Sequence, residues 1–198
     1  MLKSNEDLLG LVNALLEVYK YDAKKLVLCR TDFVFKDLIN QVYQELKPLA
    51  DKKHQEFVVN YEPEDETTIN ADRHEIRRVI CNLCGNAINY TEPEGKIEIN
   101  VSENSGNILF SVLDNGNGIP EEDVPNLFER FSQGTSRKRS TGTGLGLYLS
   151  RQIIEAHNGK IWLESKLNKG SEFLFLLPDV ISNRQNEERG INDKCTIN

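Results

Sequence analysis

Apolar residues recur near the start of the chain as Leu8, Leu11, Val12, Leu15, Leu16 and Tyr19. Positions three and four apart share one face of a helix, so this spacing predicts an amphipathic helix over about residues 4–20 whose stripe needs a partner. A second helix is predicted from Phe35 to Ala50, with Leu38, Ile39, Val42, Leu46 and Leu49 on one side and Pro48 near its end. Gln55–Asn60 reads as a strand and Thr67–Ile69 as a short one. Asp72 is suited to cap a third helix over about residues 73–89, closed by the turn Thr91–Gly95. A hairpin follows, Lys96–Ser102 and Asn107–Leu113, joined by the polar turn Glu103–Gly106. Pro120–Phe131 suggests short helical turns, and residues 132–143 are polar, basic and aperiodic, as in a loop. The pattern then predicts a helix over about residues 144–157, ended by Asn158-Gly159, and a last hairpin, Lys160–Ser165 with Glu172–Leu177. Beyond Pro178 the chain turns polar, so residues 179–198 are expected to be a disordered tail. Helices alternating with hairpins predict an α+β chain folded as a two-layer α/β sandwich.

Hydrophobic residues make up 38% and charged residues 28% of the 198 positions, a balance suited to one buried core. The formal net charge of −7 argues against nucleic acid as a partner. The first residues lack the features of a signal peptide and no apolar stretch approaches a membrane span, so a cytoplasmic chain is expected, whose parent protein could be membrane-attached. Cys81 and Cys84 form a lone CxxC with no histidine at ligand spacing, which points to buried free thiols rather than zinc.

Four segments carry candidate chemistry. In Asp72–Thr91, the core face is Ile76, Val79 or Ile80, Leu83 and Ala87, while Asn82, Asn86 and Asn89 fall on another face with Tyr90 beside them. Carboxamides are costly to bury without partners, so that row faces solvent or a ligand; an amide oxygen there suits magnesium. Asp114-Asn115-Gly116-Asn117-Gly118-Ile119 follows an apolar strand, where glycine permits a sharp turn and close approach to a ligand. Asn126–Phe131 leads into a loop bearing Arg137, Lys138 and Arg139. Gly142-Thr143-Gly144-Leu145-Gly146-Leu147 opens a helix, where backbone N–H groups favour phosphate. It is neither a P-loop nor a dinucleotide fingerprint: no Gly-Lys-Ser/Thr follows, and Leu147 stands where the latter needs glycine. Taken singly, each segment also has a plain reading as a solvated asparagine face, an Asx turn or a charge run.

Their order resembles the nucleotide site of the GHKL superfamily, with its Bergerat-type ATP-binding fold. NLCGNAINYT, DNGNGI, LFERF and GTGLGL are similar to the histidine-kinase versions of its four boxes, and HNGKIWLES and KGSEFLFLLP to the last hairpin. The resemblance covers about residues 5–178. It implies a mixed, mostly antiparallel sheet backed by helices, and a protein-histidine kinase of a two-component system that takes ATP and Mg2+. Asn86 would ligate the magnesium with Asn82 in support. Asp114 would hydrogen-bond the adenine amino group, Gly116 and Gly118 would shape that pocket, and Tyr90 would lie against the base. Gly142, Gly144 and Gly146 would hold phosphates, with Ile119, Thr143 and Leu145 in the same site. Arg130 and a basic residue among Arg137, Lys138 and Arg139 would neutralise the transferring phosphoryl group, and Phe128 and Phe131 would anchor the loop.

Two positions depart from the pattern. Asn89 stands where many histidine kinases carry a lysine that touches the terminal phosphate. Asn82 stands where hydrolysing members carry a glutamate base; an amide cannot take a proton from water, so transfer is favoured over hydrolysis. The resemblance divides the chain into residues 1–23, similar to the second helix of a dimerisation hairpin, a catalytic domain over 24–178, and the tail. No phosphoacceptor histidine is expected in this chain: His74 mimics the acceptor motif only superficially. The partner would be an acceptor-histidine domain, same parent protein or in trans, with a response regulator downstream and a homodimer through residues 4–20. The competing readings are a non-catalytic ATP-binding interaction module and, less favoured, a GHKL ATPase.

Overall fold

The computed structural model describes residues 27–132, 144–178 and 180–181. The helix expected over residues 4–20 and the basic loop from residue 133 to 143 lie outside them. Among the described residues, eight strands and three α-helices run in the order β1 (Thr31–Val34), α1 (Phe35–Lys52), β2 (Glu56–Tyr61), β3 (Thr68–Ala71), α2 (Arg73–Tyr90), β4 (Lys96–Asn104), β5 (Asn107–Asp114), α3 (Gly146–Ala156), β6 (Lys160–Lys166), β7 (Gly170–Leu177) and β8 (Val180–Ile181), with a 3-10 turn at Val124–Asn126 before α3.

The main sheet has the order β2-β4-β5-β7-β6. The β2–β4 pair is parallel, which requires the intervening chain, including α2, to cross over; the other pairs are antiparallel. Alternation decides which face is covered. Ile97, Ile99 and Val101 of β4, Ile108, Phe110 and Val112 of β5, and Phe173, Phe175 and Leu177 of β7 are all buried. In register, Ile99 opposes Val112 and Val112 opposes Phe173, while Phe110 stacks on Phe175 with ring centroids 4.7 Å apart. The apolar stripes of the helices close over this face: Leu38, Ile39 and Val42 from α1, Ile76, Val79, Ile80 and Leu83 from α2, Ile153 and Ile154 from α3. This is the expected two-layer sandwich with one parallel pair. A second, three-stranded sheet, β1-β3-β8, is antiparallel throughout.

Several boundaries differ from expectation for local reasons. Helix α1 continues past Ala50 to Lys52, with Pro48 in its last turns. Ala50, not Leu49, completes its buried stripe, and Leu49 is exposed. The first hairpin turn is two residues rather than four: Ser105 and Gly106 take φ of 53° and 77°, the double left-handed conformation that matches strand twist. The tail expected to be disordered from residue 179 instead begins with a strand, since Val180 and Ile181 pair with Ile69 and Thr68; residues 182–198 lie outside the described set. Among the described residues, no helix is long and apolar enough to cross a membrane.

Candidate functional site

The asparagine helix is set by its first residue. Asp72 Oδ1 accepts from the N–H groups of His74 and Glu75, two of the donors that a helix start leaves unpaired. Asp72 Oδ2 accepts from the N–H of Cys29, 43 residues earlier, and its own N–H donates to Nε2 of buried His157 at 3.0 Å. His157 also shares a 2.8 Å contact between Nδ1 and Ile153 O, which assigns the ring proton to Nδ1. Burial holds this imidazole below its ordinary pKa, as the neighbouring guanidinium of Arg30 does to a smaller degree, against the Ile153 carbonyl that favours protonation. His157 is thus a structural tie. His74, in the first turn of α2, is 84% exposed.

Farther along α2, a face to one side of the Ile76, Ile80 and Leu83 stripe carries the carboxamides. Asn82 is half-buried; its Nδ2 donates to Ser150 Oγ on α3 at 3.0 Å and its Oδ1 faces Gly146. A Cβ on Gly146 would collide with that oxygen, so glycine is what lets α3 start against α2. Asn86 is half-buried and its amide has no hydrogen-bond partner among the described residues. A hard, neutral oxygen in that state fits a divalent cation such as magnesium. Asn89 is exposed, as is Tyr90 at 47%.

The second wall is built by the strand ends. Inward positions of β5 run Ile108, Phe110, Val112, Asp114, so the strand brings a carboxylate into the core layer, only 4% exposed. Burial pushes the Asp114 carboxyl above its usual range, opposed by hydrogen bonds from the N–H groups of Gly116 and Ser171. The Gly116 N–H lies 2.9 Å from Oδ1. A Cβ on Gly116 would lie 2.6 Å from Tyr90 O, so this glycine allows the turn to meet the end of α2. Gly118 packs on the carbonyl of Lys166, Ile119 N–H donates to Ser165 Oγ at 2.8 Å, and Ser165 and Ser171 share a 3.0 Å hydroxyl contact. The register Asp114–Ser171–Ser165 across β5, β7 and β6 places these serines beside the carboxylate. Motif reading did not single them out; a serine at the inward position ahead of Phe173, Phe175 and Leu177 is the signal that marks Ser171.

The third part precedes α3. Gly144 packs on the backbone of Phe131 and Ser132, and Leu145 is buried in the core. Phe128 is half-buried against the core, but Phe131 is 54% exposed, so of the two expected anchors only Phe128 is seated. The guanidinium of Arg130 lies 5.0 Å from the ring centre of Tyr148, in the first turn of α3, and Arg151 pairs with Glu129 at 3.7 Å. Arg137, Lys138, Arg139, Gly142 and Thr143 lie outside the described residues. The structure therefore brings together Asn82 with Gly146, Asp114 with Gly116, and Tyr90 with Gly116.

A helix-backed mixed sheet with an asparagine helix against a glycine helix start and a buried aspartate at a glycine turn defines a class. Residues 71–181 match the model of the histidine kinase-, DNA gyrase B-, and HSP90-like ATPase family, and the chain belongs to that family. Within it, the chain is 34% identical over 179 residues to the circadian input-output histidine kinase CikA of Synechococcus elongatus, covering 89% of this chain and 24% of CikA. It is similar to full-length ShkA solved with AMPPNP, at TM-score 0.81 and 29% identity, covering 91% of this chain and 37% of ShkA. It is also similar to the nucleotide-free catalytic domain of histidine kinase ThkA, at TM-score 0.68 and 35% identity, covering 76% of this chain and 95% of that domain. The chain spans about a quarter of the length of CikA.

Proposed function

We infer that this chain binds Mg-ATP and donates its γ-phosphoryl group to a histidine of a dimerisation domain in two-component signalling. The observation that carries the reading is the seat of Asn82 against Gly146: the residue facing the start of α3 is an amide engaged with Ser150, not a carboxylate able to activate water. In this reading Asp114 accepts a hydrogen bond from the adenine amino group in addition to those from the Gly116 and Ser171 N–H groups. Tyr90 offers an exposed aromatic face to the base. Asn86 would hold the magnesium ion, which when bound neutralises charge on the phosphates. Arg130, with Arg137, Lys138 or Arg139, supplies cations where charge moves from the γ-phosphoryl group to the departing ADP oxygen as the histidine nitrogen attacks. The phosphohistidine would then serve a response regulator.

A second reading, a nucleotide-binding interaction module without transfer, is favoured by exposed Asn89, whose neutral amide brings no charge of its own to the terminal phosphate. Calorimetric titration with Mg-ATP, comparing the parent with Asp114→Asn, tests the site. A separately expressed acceptor hairpin and labelled ATP then separate the two readings. Label on the hairpin is expected; saturable binding with no label would favour the module, and no binding by folded parent would overturn both.

A further inference from the structure

Helix α2 ends beside the site with no basic residue in its last turn. A helix terminus leaves carbonyls without intrahelical partners, and these carry partial negative charge that favours a cation. The turn between α1 and β2 supplies what the helix lacks. Lys53 Nζ donates to Ile88 O at 2.6 Å and to Asn89 O at 3.4 Å. Gln55 Nε2 donates to Ile88 O at 3.1 Å and to Thr91 O at 2.7 Å. His54, between them, takes φ 56°, a left-handed turn after which both neighbours reach the same helix end. Gln55 is 3% exposed, and Nε2 also lies 3.4 Å from Glu92 O. The flipped amide would set Oε1 against three carbonyl oxygens, so the donor orientation is fixed by chemistry. The backbone repeats the tie, since Glu56 N–H donates to Gly95 O at 2.8 Å.

The carbonyls held this way flank one more, that of Tyr90, which faces Gly116. We propose that Lys53 and Gln55 are positioning residues for the nucleotide site, a clamp that fixes the last turn of α2 so that Tyr90 stands against the Asp114–Gly116 turn. The clamp touches neither substrate nor phosphate; it acts through the base-binding end. It rests on the reading that this pocket takes ATP.

The full chain with K53M, with Q55M and with both is the test. Methionine keeps the length of each side chain and removes its donors. The double variant, which removes all five of these side-chain hydrogen bonds, is expected to bind ATP about tenfold more weakly, since only part of that loss reaches the site. In transfer assays KM for ATP should rise by that factor while kcat stays within twofold. K53R, which still donates to the same carbonyls, should stay within twofold of the parent. K47M removes an equal charge from α1 at the exposed Lys47–Asp51 pair and should leave affinity unchanged. Amide exchange at Thr91 and Gly116, read without nucleotide, should quicken in the double variant. A folded double variant with parental ATP affinity and parental exchange would overturn the clamp. Should Q55M fail to fold, half-exposed Lys53 keeps the test: parental affinity and exchange in K53M would overturn it too. A parent that does not bind ATP overturns the functional reading instead, and the exchange measurement then judges the clamp alone.

Discussion

The imidazole Nε2 of His157 accepts the backbone N–H of Asp72 across 85 residues, joining the end of α3 to the start of α2. The two helices whose other ends carry Gly146 and Asn86 are thus tied at their far ends, and Arg30 adds a contact to Ala156 O at 3.4 Å. The tie requires neutral His157. Its folded-state pKa lies below the ordinary 6.5, so below that pH the unfolded chain takes up a proton that the native state refuses. Stability is therefore full above about pH 6.5 and declines as pH falls from there toward the folded value. Urea midpoints of the parent at pH 7.5 and 5.5 should fall with pH, and His157→Gln should show a smaller fall from a lower starting point, about 1–3 kcal/mol less stable. Equal slopes in both proteins would refute the assignment.

Asp114 behaves in the opposite sense. Its pKa is raised by burial, so the native state holds its proton longer than the unfolded chain and stability declines as pH rises from the unfolded carboxyl value to the folded one. Burial makes the charged form of this carboxyl costly to the fold, a cost that in the proposed reading serves a ligand. Asp114→Asn should therefore leave the melting temperature unchanged or higher while ATP affinity drops about 10–100-fold, the worth of a hydrogen bond to a charged group. A variant that loses affinity and stability together would mean the carboxylate is structural.

Gly146→Ala tests the junction of α2 with α3. The added methyl meets Asn82 Oδ1, a side chain anchored to Ser150 and unable to retreat freely. Overpacking of this kind costs about 1–3 kcal/mol, and the separated helix start should lower ATP affinity as well. Pairing it with Asn82→Ala should restore much of the stability, since the colliding oxygen is gone. Failure of that rescue in denaturant titrations would place the strain elsewhere.

Where local pattern and tertiary need coincide, the fold is readable from the chain. Ile76, Leu83 and Ala87 are buried as their spacing predicts, with both Val79 and Ile80 where the spacing asks for one, and Asp72 caps α2 because its side chain can reach two N–H groups ahead. Thr31–Val34 shows no such signal: four residues, two of them exposed, become β1 only by pairing with β3 more than thirty residues on. Val180–Ile181 joins a sheet from inside a polar stretch for the same reason. In the candidate site, Asp114 and Gly116 are legible because their contact is local. Ser171, His157 and Gln55 are not, because their meaning lies in partners 33 to 85 residues away.

Asn89 offers the last prediction. It is exposed in the final turn of α2, where it replaces the lysine that the resemblance leads one to expect. Asn89→Lys adds a cation at the negative end of the helix dipole, worth a few tenths of a kcal/mol, offset by the nearby ammonium of Lys53, whose Nζ lies 3.4 Å from Asn89 O. Stability should hence stay within about 0.5 kcal/mol of the parent. Function should change more, because a flexible ammonium beside the phosphates stabilises charge that grows during transfer. An increase of about threefold to tenfold in phosphotransfer to the acceptor hairpin is expected, shrinking as salt is raised. An unchanged rate at low salt would show that other cations already saturate this role.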